Sequence, residues 1–596
     1  ILDTLKNSEL GGELRPRIHI IEAHEQAAGL HEVLNSPPPV LPFKESLDYW
    51  WRGEAADICT ACGLRPQGWG APDDSQRRKA QQRSICYVCL ERRGKRAREW
   101  ARARHRSDDD RELWERTIWL DEVADENGRL ALVVGKFDLS QWLNGEMIQT
   151  LLVAYNPSKR YIPKNPSFAR IQRVWRTTQQ FWQEVQERDI PAVIGLRQQR
   201  LSIAVKNAGE LRRRLGDFHA YETEIENRRL ALLWDGESGR LLTADNLMVW
   251  TKNGKPLGEQ LPEELPLFEP GGYGQRRVTL VTAIIDKTGL EEIPGIYIPT
   301  ITLQAQPASF MALVPANKAL DVATKISQRY ELEMSKVCNR LPILLGLIFF
   351  DRRQSLFSVL DAGRRLLKQP FSEIECTVAS SSRCSRSNGD SLPEYLEHPH
   401  FRKWQEFKLT TTKDETIYWR AATVMGDGVT PDDWYPYVNV LHDAKGSPPS
   451  GRRQFSHQGQ QWVHVSEVKN GDVIYFMPSY FTWLHLDTSA RRFEAGQKIQ
   501  FFGELAEFTK IWNKLQQLVE TKGLTENQLQ GIVTLLIMKG KEWGVDSEQY
   551  RQLAEALIYK EGLDGLTVTD LISGRLEAAF YLYHCLCRRK LRGESI

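Results

Sequence analysis

Four cysteines form the clearest chemical pattern in the sequence. Cys59 and Cys62 make one CxxC pair, and Cys86 and Cys89 make a second pair after 23 intervening residues. Two thiolate pairs at such a spacing are typical of a tetrahedral Zn²⁺ site, with Zn–S bonds of about 2.3 Å. Because four thiolates leave no open coordination position, the pattern predicts a structural zinc ion. The alternative is four unligated thiols in a reduced protein.

A strongly basic segment follows the cysteine pairs. Only Glu91 and Glu99 oppose its positive charge, whereas the whole chain has a net charge of just +2. A local basic stripe can bind phosphates even on a nearly neutral protein, and Trp100 and Trp114 nearby could stack on bases. The alternative is a solvated helix face, the usual role of a charge run. The cations predicted to contact nucleic acid are Arg92, Arg93, Lys95, Arg96, Arg98 and Arg102.

Length and composition indicate a multidomain, water-soluble protein. A chain of 596 residues exceeds what one hydrophobic core usually supports. The longest apolar run, at 341–350, is shorter than the roughly 18 residues that a membrane span needs. Nine cysteines, four of them in CxxC pairs, fit a reducing compartment better than a disulfide framework. We therefore expect a cytoplasmic protein with no membrane partner.

Changes in composition predict five segments. SPPPVLP (36–42) is typical of a linker or a surface turn. Residues 370–400, which contain TVASSSRCSRSNGDS, are typical of a mobile loop, and the last hundred residues have a helical pattern. The predicted segments are an N-terminal remnant and linker at 1–56, a zinc-binding module with the basic segment at 57–116, a palm-like domain with inserted helices at 117–370, a mixed α/β region with a flexible loop at 371–500, and a C-terminal helical bundle at 501–596.

Strand and helix patterns alternate after the basic segment. Residues 117–143 are predicted to form two apolar strands around the turn Asn127-Gly128, the strongest short-range signal for a hairpin. Residues 168–215 carry apolar side chains at helical spacing, and strand patterns return within 228–286.

The stretch LQAQPASFMALVPANKAL (303–320) predicts two strands joined by a tight turn, and then a helix. LPILLGLIFF (341–350) predicts a buried strand and SLFSVLDAGRRLLK (355–368) an amphipathic helix. With the earlier strand, the order is βαββαβ. The expected fold class is therefore multidomain α+β, with a ferredoxin-like polymerase/cyclase palm, a Cys₄ zinc module and a C-terminal helical bundle. Palm enzymes that join nucleotides bind two metal ions, and Asp138 stands where the first strand's carboxylate would be.

Together, several of these segments resemble a known family. Paired CxxC knuckles, GKFDLSQW, FMALVPANKALDVA and NRLPILLGLIFFDRRQSLFSVLDAGRRLL are similar to the large subunit of type III CRISPR–Cas effector complexes. The likeness is greatest to a divergent branch associated with type III-D systems and covers most of 57–368. GDGVTPDDWYPY (426–437) and LDTSARRFE (486–494) are similar to segments of the same branch.

The sequence departs from that family at its catalytic motifs. Family members carry Gly-Gly-Asp-Asp in the hairpin turn, and the acids bind metal ions for making cyclic oligoadenylates from ATP. Here the glycine positions hold Gln306 and Pro307, and the acid positions hold Ala308 and Ser309. Ala308 cannot bind a metal, and a neutral hydroxyl is a poor ligand for a hard cation.

The nuclease motif of the family is not found either. Many members have an N-terminal HD nuclease domain, and no HD signature occurs in the short N-terminal segment. The dipeptide His442-Asp443 lacks a preceding His cluster at suitable spacing. The chain begins with Ile rather than Met, which leaves open whether a nuclease domain preceded it.

The resemblance implies a binding and scaffolding role without catalytic residues. As a large subunit, the chain would contact guide RNA, target RNA and neighbouring subunits of the backbone and small-subunit types, in antiviral defence. One alternative is an active cyclase that combines Asp138 with a relocated acid, for example Asp286 or Asp351. Another is a stand-alone, zinc-stabilised RNA-binding protein, which predicts a monodisperse monomer that binds RNA without partners.

Overall fold

The computed structural model is a multidomain α+β protein with a cysteine cluster near the start of its described part and a helical C-terminal region. The residues that the structure describes are 57–104, 113–155, 160–195, 197–225, 228–250, 256–270, 278–385, 397–486, 500–501, 504–522, 525–545, 547–560 and 575–587. The segment predicted at 1–56 and most of LDTSARRFE lie outside the described residues.

The elements are numbered in chain order. The helices are α1 (Asp74–Gln82), α2 (Tyr87–Ala103), α3 (Leu120–Val123), α4 (Ser140–Leu143), α5 (Phe168–Glu184), α6 (Ile190–Ile194), α7 (Ala208–Arg214), α8 (Leu257–Gln260), α9 (Ala319–Met334), α10 (Leu356–Leu367), α11 (Glu504–Lys522), α12 (Glu526–Trp543), α13 (Glu548–Lys560) and α14 (Arg575–Cys587).

The strands form two open sheets, a closed barrel and one separate hairpin. They are β1 (Arg129–Phe137), β2 (Leu152–Tyr155), β3 (Arg160–Pro163), β4 (Gln198–Val205), β5 (Ala220–Ile225), β6 (Arg228–Asp235), β7 (Arg240–Thr243), β8 (Glu264–Phe268), β9 (Thr279–Tyr297), β10 (Ile301–Gln306), β11 (Ser309–Pro315), β12 (Ile343–Asp351), β13 (Ile374–Ser385), β14 (Lys403–Thr411), β15 (Thr416–Ala422), β16 (Tyr437–His442), β17 (Gln454–His457), β18 (Gln460–His464), β19 (Val473–Phe476), β20 (Tyr480–Leu486) and β21 (Gln500–Phe501).

The first sheet has the strand order β10-β11-β1-β12-β20-β21, with β1 near its centre. β1 is antiparallel to both neighbours: Lys136 lies opposite Ser309 on β11, and Phe137 lies opposite Ile343 on β12. β20 pairs in parallel with β12. The strand–turn–strand–helix order predicted for 303–320 is confirmed by β10, β11 and α9.

Helices cover both faces of this sheet, and this explains the continuous apolar runs in β1 and β12. On one face Leu132 and Val134 pack against α10, whereas Val133 and Phe137 on the other face pack with α5, α9 and the C-terminal helices. Gly135 allows α5 to approach closely, because a Cβ atom there would overlap the ring of Trp182.

The region before β1 differs from the sequence prediction. Residues 117–143 were expected to form a hairpin around Asn127-Gly128, but α3 occupies the position of its first strand. The turn is present, with Gly128 at a φ of 72°. The prediction failed because Glu122 stabilises a helical turn at this position. Its carboxylate accepts a hydrogen bond from the Trp119 N–H at 2.8 Å.

The insertion after β1 contains a six-stranded barrel with the strand order β4-β7-β6-β5-β8-β9. The strand patterns within 228–286 are confirmed by β6 and β9, but the barrel that they form with β4, β5, β7 and β8 was not predicted. Helix α5 is present as predicted, but 198–205, expected to be helical, form strand β4. Its apolar side chains, including Leu201 and Ile203, point into a core that belongs to the barrel itself.

Strands β13 to β19 form the second sheet, with the strand order β15-β14-β13-β19-β16-β18-β17. The prediction of a mixed α/β region at 371–500 is corrected, since the described residues of that span form strands and short 3₁₀ turns. The Ser-rich stretch expected to be a loop forms β13 as far as Ser385, and 386–396 lie outside the described residues. Alternate residues of β13, such as Cys376 and Val378, are buried in the core of the second sheet. This burial stabilises a strand whose other residues are mostly polar.

The C-terminal region is helical, as predicted. Helix α11 packs against α14 and α9, so its core is continuous with one face of the first sheet. Leu505, Phe508 and Leu515 lie on the buried side of α11. The helices are thus an extension of the first sheet's core.

A buried arginine connects helix α2, the linker before β1 and the barrel. Arg200 on β4 is 1% exposed, and its Nε and Nη2 donate to the Glu122 carboxylate at 2.7 and 2.9 Å. Its other donors reach the carbonyls of Trp114 and Thr117. The guanidinium carbon also lies 4.9 Å from the ring centroid of Trp100 on α2. Every face of this cation is therefore occupied.

We expect Arg200→Met to lower the free energy of unfolding by about 3–5 kcal/mol, because it leaves the Glu122 carboxylate buried without its partner. The double variant Arg200→Met/Glu122→Leu should lose less free energy of unfolding than Arg200→Met alone, since it removes both buried charges. Urea unfolding followed by tryptophan fluorescence measures both. Arg213→Gln, on the exposed face of α7, is the control and should change stability by less than about 0.5 kcal/mol. Equal stability of Arg200→Met and the control would contradict the account.

Candidate metal centre and nucleic-acid interface

The four predicted cysteine ligands come together. The sulfur atoms of Cys59, Cys62, Cys86 and Cys89 all lie within 4.8 Å of one another. Cys62 is half-buried and the other three are buried. Within the described residues, no other group of His, Cys, Asp or Glu side chains is arranged to share a metal ion among three or more ligands. The cluster can therefore bind a metal ion through four thiolates.

The first knuckle is a tight backbone loop. The N–H of Gly63 donates to the carbonyl of Cys59 at 2.9 Å, and the N–H of Cys59 donates to the carbonyl of Arg65 at 2.7 Å. Gly63 has a φ of 65°, a conformation that a residue with a Cβ atom adopts at a cost. The loop turns back on itself so that both sulfur atoms of the pair face the same point.

The second knuckle is the first turn of helix α2. Cys86 is the N-cap residue, and Cys89 lies in the first turn. The N–H of Leu90 donates to the carbonyl of Cys86 at 3.1 Å. The positive end of the helix dipole lies at this terminus and favours the thiolate form of both side chains. The metal ligands therefore fix the start of the helix that carries the basic stripe.

Hydrogen bonds within the cluster favour the thiolate form of one cysteine and the protonated form of its neighbours. The pKa of Cys59 is lowered well below its usual range because Cys86 and Cys89 donate hydrogen bonds to its sulfur. Donation to Cys59 in turn raises the pKa of Cys86 to about 11. A divalent cation compensates the charge that the protons otherwise neutralise, so metal binding releases protons and weakens as the pH falls. Four protein ligands close the coordination sphere, which fits a structural role.

The predicted cations lie along α2, but they are not equivalent. Arg93, Lys95, Arg96 and Arg98 are exposed, and Arg92 is half-buried. Arg102 forms an ion pair with Glu237 of the barrel. Arg93, Lys95, Arg96 and Arg98 thus present their charge to solvent, whereas Arg102 helps to attach the helix to the barrel.

Contacts with the barrel were not anticipated from the sequence. The guanidinium groups of Arg98 and Arg102 lie 5.3 and 5.9 Å from the ring centroid of Phe218. Phe218 and Glu237 are more than a hundred positions from α2 in the chain, and neither belongs to a local motif. No signal in the sequence links them to the stripe, because tertiary packing alone brings them together.

The two tryptophans predicted to stack on bases are in the core, so that prediction is wrong. Trp100 is fully buried and Trp114 is 3% exposed. Their rings stack on each other with centroids 4.2 Å apart, and Arg200 covers both. Aromatic side chains of this size add more stability in a core than at a surface, and the cation next to them fills the remaining space.

His219 packs beneath the stripe as an uncharged side chain. A Cβ atom on Gly94 would lie 3.3 Å from its ring, so the glycine allows the close contact between α2 and the barrel. Burial, together with the positive charges of Lys79, Arg83 and Arg98, lowers the pKa of His219 to about 3. The histidine thus adds no charge to the basic surface at neutral pH.

The structure places Gln306, Pro307, Ala308 and Ser309 at the turn between β10 and β11, next to the end of β1. The N–H of Phe137 donates to the carbonyl of Ala308 at 3.0 Å, so the turn at Pro307 and Ala308 lies beside Asp138. The carboxylate of Asp138 accepts hydrogen bonds from the N–H and hydroxyl of Ser140 at 3.0 and 2.6 Å.

The side chains of the turn interact locally. The hydroxyl of Ser309 accepts a hydrogen bond from the side-chain amide of Gln304, whose amide group also donates to Gln306 at 3.2 Å. Pro307 is buried. The turn thus presents amides, a hydroxyl and apolar groups where a metal site would need carboxylates.

The structure does not bring the two proposed alternative acids to Asp138. Asp351 lies opposite Arg129, at the far end of β1 from Phe137, and eight strand residues of about 3.3 Å separate the two ends by roughly 26 Å. Asp286 is on the barrel strand β9, where its carboxylate accepts hydrogen bonds from Thr288.

Comparison of the chain with protein-family models, curated proteins and solved structures found no match. Every helix in the described part of the chain is too short or too polar to cross a membrane.

We expect Cys86→Ser to abolish tight metal binding, because a neutral hydroxyl cannot replace a thiolate in the four-ligand set. Elemental analysis of the purified chain by mass spectrometry measures bound metal per chain, and limited proteolysis reports whether 57–104 stay folded. Cys384→Ser, a half-buried cysteine on β13 outside the cluster, is the matched control and should keep the metal. Metal retained by Cys86→Ser at the control's level would rule out the site.

Proposed function

We propose that the chain is the non-catalytic large subunit of an RNA-guided type III CRISPR effector complex. It would bind guide RNA, target RNA and neighbouring subunits in the cytoplasm, in antiviral defence. The observation that supports the proposal is the first sheet, in which the turn between β10 and β11 lies beside the end of β1 and carries no acid. The resemblance of the sequence segments around this turn supplies the family.

The topology of the first sheet supports a palm. Along the chain, β1, α5, β10, β11, α9 and β12 follow the order βαββαβ, with the barrel inserted after the first helix. In space the four strands stand in the order second, third, first and fourth, with antiparallel neighbours throughout. This is the arrangement that a ferredoxin-like motif requires, since each helix crosses over to a parallel, non-adjacent strand.

The chemistry of the hairpin turn favours a palm that is kept for architecture. A two-metal site requires several carboxylates around one point, and the turn supplies Ala308 and Ser309 beside the single acid Asp138. Pro307 is also rigid where the family has glycine. Buried packing against the helices explains why the sheet would persist after the metal ligands were lost.

The cysteine cluster and helix α2 are proposed to form the RNA-facing module. We propose zinc as the metal, because four thiolates in tetrahedral reach are the ligand set that Zn²⁺ prefers. The exposed side chains of Arg93, Lys95, Arg96 and Arg98 then contact RNA phosphates. Arg92, which is half-buried, and Arg102, which is paired with Glu237, contribute less to these contacts.

The C-terminal helices offer apolar surface for neighbouring subunits. Leu535 and Met538 on α12 are 38% and 62% exposed, and Tyr559 on α13 is 90% exposed. Exposed apolar side chains near one another are typical of docking surfaces in assemblies. We propose that small-subunit or backbone proteins cover them in the complex.

The assay is incubation of the assembled complex, purified through a tag on this chain, with ATP, Mg²⁺ or Mn²⁺ and matching target RNA. Because the turn lacks metal ligands, we expect no oligoadenylates by chromatography, while the same preparation cleaves target RNA through its other subunits. Asp138→Ala should leave RNA binding and cleavage unchanged. Oligoadenylates that disappear in Asp138→Ala would instead establish an active cyclase with displaced metal ligands.

A further inference from the structure

Three exposed apolar side chains lie where the first cysteine knuckle meets helix α10. Ile58 and Leu64, on the knuckle loop, are 42% and 64% exposed, and Phe357 on α10 is 60% exposed. A Cβ atom on Gly63 would lie 3.9 Å from the Phe357 ring, so the loop backbone next to Leu64 packs beside that ring. We call Ile58, Leu64 and Phe357 the knuckle patch.

The knuckle patch has a fixed shape. Its loop is closed by the β-bridge between Ile58 and Pro66, and by the hydrogen bond from the Gly63 N–H to the Cys59 carbonyl at 2.9 Å. Phe357 lies in the first turn of α10, whose opposite side packs into the core of the first sheet. A surface that is already ordered loses little conformational entropy when a ligand binds to it.

The chemistry of the patch favours an apolar ligand. The residues between Ile58 and Leu64 include no Lys, Arg, Asp or Glu. Single exposed apolar side chains are common on protein surfaces, but three of them at the junction of two elements are typical of a docking surface. A ligand with large apolar side chains would remove all three from water without burying an unpaired side-chain ion.

The chain itself supplies such side chains a short distance away. Tyr49, Trp50 and Trp51 are consecutive in the sequence and lie outside the described residues, which begin at Asp57. Six residues separate Trp51 from Ile58, so the two Cα atoms are at most about 25 Å apart, whatever conformation the six adopt. A tether of this length keeps the aromatic segment at a high local concentration near the patch, so a modest affinity is enough for docking.

We propose that the knuckle patch binds Tyr49-Trp50-Trp51 of the same chain. Tryptophan and tyrosine rings bury a large apolar area and still present one polar atom to water, which suits a shallow surface of this kind. A second copy of the chain or another protein would have to reach the same concentration without a tether. Docking attaches the residues before the cysteine cluster to both the cluster and α10. The inference goes beyond the proposed function and does not depend on RNA binding.

Hydroxyl-radical footprinting of the full-length chain, read by mass spectrometry, tests the inference, because a side chain is oxidised at a rate that follows its exposure to water. Rates are corrected for the intrinsic reactivity of each residue type, and Tyr418 on β15, 66% exposed, is the reference for an uncovered ring. Phe357 should be oxidised roughly fivefold more slowly than this reference, because docking takes its side chain from 60% exposure to that of a core residue.

Two variants test the contact from its two sides. Trp50→Ser/Trp51→Ser should raise the oxidation rate of Phe357 to that of the reference, since it removes the two indole rings. Leu64→Asp places a charge in the patch and should raise the oxidation rates of Trp50 and Trp51. Leu64 is largely exposed, and the metal content per chain shows whether this variant keeps its cysteine cluster.

A matched control separates the contact from general effects. Trp543→Ser removes an exposed indole on α12 and should leave the oxidation of Phe357 unchanged. Oxidation of Phe357 at the reference rate in the unchanged chain would overturn the inference. Protection of Phe357 that persists in Trp50→Ser/Trp51→Ser would overturn it too, because a second copy or another protein would then cover the patch. Neither result bears on the proposed function, since no readout involves RNA.

Discussion

The guanidinium group of Arg200 connects the parts of the molecule on which any RNA-binding role depends. It is buried between the rings of Trp100, Trp114 and Tyr297 and forms a two-point ion pair with Glu122. Removing such a cation from water costs several kcal/mol, and only a complete set of partners compensates that cost. The contacts therefore hold α2, the linker to β1 and the barrel in one arrangement.

This arrangement gives the cysteine cluster a function beyond its own loop. The metal ligands fix the first turn of α2, and the Trp100 contact fixes its last turns. Between these two anchors, the exposed cations are presented on a rigid helix. A rigid array loses less conformational entropy on binding a phosphate backbone than flexible side chains on a loop would lose.

Local patterns in the sequence predicted the parts of the fold that depend on local signals. The CxxC spacing identified the cysteine cluster, and the continuous apolar run of β12 identified a strand buried on both faces. The barrel was missed because strands such as β4 carry charged and apolar residues in an order that also fits a helix. Trp100 was assigned to the surface because the sequence could not show that Arg200, a hundred positions away, covers it.

The proposal of a palm kept for architecture rests on the first sheet and its hairpin turn, and the proposal of RNA binding rests on the exposed cations of α2. The most direct measurement is to purify the tagged chain from cells that express it with its neighbours, and to sequence the RNA that accompanies it. The account predicts near-stoichiometric short guide RNAs, together with additional protein subunits. A monodisperse monomer without such RNA would contradict it.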